Sequence, residues 1–163
     1  KYLNCNQVAF GWHLLEHGNQ LQQYVLEWVL ENLVPLRLFQ QRTWLTITYE
    51  ELVMRPKEIS GLICKRFNLP DPDKMWRVVN KASRTTTESS RYLIESEGPR
   101  ALVYKWMQKV DKNEIVKIQK ILDVFDIWAY KASSPYPDPR LCHFGPLSLE
   151  EKYRERRGDS SES

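Results

Sequence analysis

Leu21, Val25, Trp28, Val29 and Leu33 recur at intervals of three and four, placing them on one face of an amphipathic helix. Pro35, which cannot donate a backbone hydrogen bond, is expected to stop that helix. An earlier apolar set, Val8, Phe10, Trp12, Leu14 and Leu15, predicts a first helix over about Asn6 to Glu16, with Gly18 and Asn19 as the break. Thr43-Trp44-Leu45-Thr46-Ile47-Thr48-Tyr49 is dense in β-branched and aromatic residues and contains neither Gly nor Pro, which predicts a strand. A lone strand is not stable in water, so this one is expected to find sheet neighbours that the chain does not otherwise offer.

Pro56 suits a first helical position. Ile59, Leu62, Ile63, Cys64 and Phe67 form the apolar face of the helix it starts, and Lys65 and Arg66 suit its C-terminal dipole. Leu69 to Asp73 is expected to turn, and a short helix to run from about Lys74 to Ala82. From Ser83 to Gly98 the apolar period lapses, predicting a loop, and structure is expected to resume near Arg100 with Leu102, Val103 and Trp106 on one side. Asp111 and Glu114 have capping-box spacing ahead of Ile115, Ile118, Ile121, Leu122 and Phe125, the most regular helical pattern in the chain. Prolines from Pro135 to Pro146 end regular structure, and a charged, serine-rich tail follows. Two parts are therefore expected: residues 1–134, and a largely irregular stretch over 135–163.

Composition narrows the function classes. At 163 residues, 42% hydrophobic and 28% charged, the chain suits one globular domain or a large piece of one. A net charge of +3 is too small a basic excess to argue for a nucleic-acid partner. No apolar run reaches the roughly 20 residues of a membrane helix. Three widely spaced cysteines form no CxxC pair and do not combine with His13, His17 and His143 at metal-ligand spacing, so no metal is expected. Cys64 is expected to be a buried free thiol, which implies a reducing compartment, the cytoplasm. The helical pattern beginning almost at Lys1 suggests a chain that starts inside a larger protein, or one that has been trimmed.

The candidate chemistry lies in an ordered set of features: Tyr49-Glu50-Glu51-Leu52 at the strand end, the Arg55-Pro56 helix, the Ser83-Arg84-Thr85-Thr86 run, and Trp106 ahead of the Asp111 helix. Hydroxyls and guanidinium groups in one loop are suitable phosphate donors, since arginine can grip two phosphate oxygens at once; the same residues also suit a solvated turn. Glu50 and Glu51 are read as acids favouring a helix N-terminus, not as an acid–base pair.

This order resembles the C-terminal half of the sulfotransferases that use 3′-phosphoadenosine 5′-phosphosulfate, over roughly Thr43 to Tyr130. The resemblance implies an α/β fold, a partial P-loop-like domain that is helix-dominated in this chain with one clear strand. It implies transfer of a sulfuryl group to a hydroxyl or amine of a small-molecule, carbohydrate or lipid acceptor. It places Tyr49 near the adenine, Ser83 against the nucleotide, and Arg84, Thr85 and Arg100 at its phosphates, with Arg91 a further candidate. Around Arg100 the sequence departs from the family's arginine–lysine–glycine stretch. The family's 5′-phosphosulfate loop and catalytic base have no counterpart here, so the chain alone is expected to be inactive. A non-catalytic helical interaction module is the other expectation.

Overall fold

A computed structural model describes residues 2–39, 44–79, 86–98 and 100–148. Among them lie eight α-helices: α1 (Cys5–His17), α2 (Gln20–Arg37), α3 (Tyr49–Met54), α4 (Pro56–Phe67), α5 (Pro72–Val79), α6 (Glu88–Glu97), α7 (Ala101–Tyr104) and α8 (Lys112–Val124). Short 3₁₀ turns cover Lys105–Gln108 and Pro139–Leu141.

The α/β expectation is overturned, because the described residues contain no strand and no sheet. Trp44 to Thr48 form no strand, and Tyr49, expected at the strand end, opens α3 instead. The reason is local. Thr48 has extended backbone and its hydroxyl accepts from the Glu51 N–H at 3.2 Å, so it caps a helix. Glu50 and Glu51 then occupy the positive end of that helix. The β-branched run favours an extended chain, but a strand also needs a neighbour to take its backbone bonds.

Pro35 does not stop α2, which runs on to Arg37. Proline forfeits one backbone hydrogen bond near the end of the helix, whereas continuing keeps Leu36 against the core beside Leu33. The loop expected over Ser83 to Gly98 is also corrected in part. Thr87 caps α6, whose residues include none that is buried, so the helix lacks the apolar stripe that would reveal it. Residues 80–85, with Ser83, Arg84 and Thr85 among them, lie outside the described residues.

Other elements follow their local signals closely. Pro56 stands at the start of α4, Asn68 closes it in the left-handed conformation (φ 51°), and Cys64 is buried and unpaired. At the start of α8 the Asp111 carboxylate accepts from the Glu114 N–H at 2.8 Å, and the Glu114 carboxylate accepts from the Asp111 N–H at 3.2 Å. Replacing Asp111 with alanine strands the Glu114 N–H in the first turn, and urea denaturation is expected to show a loss of about 1 kcal/mol.

The main core lies where α1, α2 and α8 meet. Leu14, Leu26, Val29, Leu33, Ile121 and Phe125 fill it, and the chain after α8 closes it with Ile127, Ala129 and Leu141. Gln7 is buried there too, its amide donating to the Val124 carbonyl at 3.0 Å and so tying α1 to the end of α8. A smaller cluster joins Val53 and Met54 to Val103, with Tyr136 and Leu147 against it. No helix among the described residues is long and apolar enough to cross a membrane.

Candidate functional site

Alongside the main core, residues of α2, α3 and α8 line a cleft of about 620 Å³. The helical period of α2 brings Tyr24, Trp28 and Asn32 to its wall, and Ile118 and Leu122 of α8 form the floor opposite. The extended segment Thr46–Thr48 runs into Tyr49 and Glu50 along a third side, and Trp106, Tyr130 and Lys131 complete the rim. Tyr24, Trp28, Tyr49, Trp106 and Tyr130 bring aromatic rings to the lining, and the Trp28 and Tyr130 rings meet edge to face at 5.4 Å between centroids.

Glu50 is the acid of the cleft. Its Oε2 accepts a hydrogen bond from the Tyr130 hydroxyl at 3.0 Å. Burial raises the Glu50 carboxyl above its ordinary value of 4.5, against the opposing pull of a backbone N–H and the Tyr130 hydroxyl. A proton is therefore bound more tightly in the folded chain than in the unfolded one. The stability this contributes is present below about pH 4.5 and is lost as pH rises through the higher folded value. The two tyrosines beside it move in the same direction. Tyr130 is raised by burial and then by the Glu50 charge, and Tyr49 by burial with a smaller push from Glu50.

Glu51, the next residue of α3, does not line the cleft. It is wholly buried, its Oε1 accepts from the Phe144 N–H at 3.0 Å, and the Arg55 guanidinium stands 3.7 Å away. Arg55 also donates to the carbonyls of Gly145 at 2.7 Å and Pro146 at 2.8 Å. His143 stands 2.6 Å from the Thr46 carbonyl through Nε2. Together these contacts fasten residues 143–146 against the cleft's third wall. Glu50 and Glu51 are thus neighbours in sequence with separate tasks, one facing the cleft and one locking the fold.

Of the residues singled out from the sequence, Tyr49 lies on the cleft wall, half exposed. Arg100 sits away from it, with its guanidinium donating to the Met54 carbonyl at 3.1 Å. Ser83, Arg84 and Thr85 lie outside the described residues, and Arg91 is exposed on α6. Trp28, Glu50 and Tyr130 were not anticipated as a group. Eighty positions separate Glu50 from Tyr130, and nothing local in the sequence announces their hydrogen bond. Among the described residues no group of three or more His, Cys, Asp or Glu side chains stands close enough to hold a metal ion. No protein-family model, no curated protein and no solved structure matches the chain.

Proposed function

We propose that the chain is part of a sulfotransferase that moves a sulfuryl group from 3′-phosphoadenosine 5′-phosphosulfate to a hydroxyl or amine acceptor, with the cleft holding the acceptor's organic body. In that transfer the acceptor oxygen or nitrogen bonds to sulfur while the bond from sulfur to the phosphate oxygen breaks. The acceptor's proton passes to a base, and adenosine 3′,5′-bisphosphate leaves. The observation that carries the reading is the ordered run from Tyr49 through the Pro56 helix to Trp106 and the Asp111 cap, together with the fact that Tyr49 and Trp106 line one cleft. The expected strand no longer supports it.

Glu50 decides which half of the reaction the cleft suits. The Glu50 carboxylate disfavours a bisphosphate beside it but tolerates a neutral or cationic organic group, and it leaves the Tyr49 ring available to the adenine that the resemblance assigns to it. The phosphates are assigned to the Ser83-Arg84-Thr85 run, while Arg100 is engaged with the Met54 carbonyl. Three unpaired cysteines fit a reducing compartment, the cytoplasm.

A helical interaction module without catalysis is the second reading, favoured by the helix-dominated fold of the described residues and by exposed Trp12, Tyr24 and Trp44. Adenosine 3′,5′-bisphosphate separates the two. Present at about tenfold over its Kd, it is expected to add about 1.4 kcal/mol and raise the melting temperature by roughly 3–6 °C. Ser83→Ala and Arg84→Ala each shrink that rise. A melting temperature indifferent to the nucleotide leaves the interaction module in its place.

A further inference from the structure

We propose that the cleft between α2, α3 and α8 binds an aromatic or apolar ligand carrying a cationic amine, and that the Glu50 carboxylate meets the charge. As an acceptor class this rests on the sulfotransferase reading; as a binding site it stands on the cleft alone.

Three observations converge on that ligand. First, the cleft has the size of a small-molecule site, about 620 Å³ against a common range of roughly 300–1,000 Å³. Second, its walls offer the rings of Tyr24, Trp28, Tyr49, Trp106 and Tyr130, and the negative faces of such rings attract ammonium groups. Third, Glu50 has one side-chain partner, the Tyr130 hydroxyl, and no ion pair with any basic residue among those described. A half-buried carboxylate without a countercharge gains most from a ligand that brings one.

The other titratable groups near Glu50 agree with this charge preference. Tyr49, Tyr130 and Cys142 are all raised, each chiefly by burial, and so favour their neutral forms. Lys131 lines the cleft as its basic residue, but the influences on Glu50 are burial, a backbone N–H and Tyr130. Glu51 is wholly buried and does not line the cleft, so it does not compete for the ligand. An anionic ligand would place its charge against Glu50, and a neutral one would leave the carboxylate's burial unrelieved.

Isothermal titration calorimetry of the whole chain at pH 7 tests this with three probes of like shape: 2-phenylethylamine, 2-phenylethanol and 3-phenylpropionate. The amine is expected to bind roughly tenfold or more tightly than the alcohol, and the carboxylate most weakly. Glu50→Gln keeps an acceptor for Tyr130 while removing the charge. It is expected to melt no lower than the parent chain and to bind amine and alcohol alike. Equal binding of amine and alcohol by the parent, an undiminished amine preference in Glu50→Gln, or no binding of any probe overturns the proposal. No nucleotide is present, so this titration and the bisphosphate melting experiment succeed or fail separately.

Discussion

Arg55→Ala is expected to lower stability by about 3 kcal/mol, because it leaves the Glu51 carboxylate buried without a countercharge. The same substitution removes the donors to the Gly145 and Pro146 carbonyls and so loosens the chain segment that backs the cleft. Part of the loss is offset by water, since the Arg55 side chain is 24% exposed while Glu51 is not exposed at all. A double substitution identifies the cause. Glu51→Gln retains an acceptor for the Phe144 N–H but carries no charge, so Glu51→Gln with Arg55→Ala should be more stable than Arg55→Ala alone. Arg55→Lys should fall between, keeping the charge and losing the two-pronged grip on the carbonyls. Urea denaturation measures all three. An Arg55→Ala chain as stable as the parent, or one made worse by Glu51→Gln, would show that Arg55 does not hold the carboxylate.

The second large effect is expected at Phe125, the residue that follows α8 as its C-cap and lies wholly buried among Leu14, Leu26, Val29 and Ile121. Phe125→Ala removes the ring and leaves a cavity that helices α1 and α2 can close only in part. The expected cost is about 3–5 kcal/mol, seen as a melting temperature lower by on the order of 10 °C. Its ring lies 3.9 Å from where a Cβ on Gly11 would stand, so α1 already packs against it closely. Val116 sits in the same helix and is 68% exposed. Val116→Ala should therefore change stability by less than about 0.5 kcal/mol. A Phe125→Ala chain that melts with the parent would mean that this core is not the centre of the fold.

The helices whose ends carry chemical markers were legible from residues alone. Asp111 and Glu114 announced α8, Pro56 announced α4, and the three-four spacing from Leu21 to Leu33 announced α2. Each signal acts within one or two turns, so distant parts of the chain do not alter it. The failures share a cause as well. Trp44 to Thr48 has the composition of a strand, but pairing depends on a partner that composition does not supply. Helix α6 buries no residue, so no apolar period betrays it. Pro35 looked like a stop because the gain from packing Leu36 lies outside the helix's own sequence window.

The positions of the candidate residues were set by packing: Tyr49 stands on the cleft wall, and Arg100, chosen for its charge, donates to the Met54 carbonyl. A guanidinium's charge can be read from a residue letter; the carbonyl it finds cannot.

Caps, helix faces and the modest net charge thus followed from the order of residues, because they depend on short-range bonding and on counting. The absence of a sheet among the described residues, the union of Glu50 with Tyr130, and the opposite tasks of Glu50 and Glu51 were decided by how helices far apart in the chain pack together. The physical reason is range. Backbone capping and amphipathic period act over a few residues, whereas burial and charge pairing depend on which distant surfaces exclude water between them.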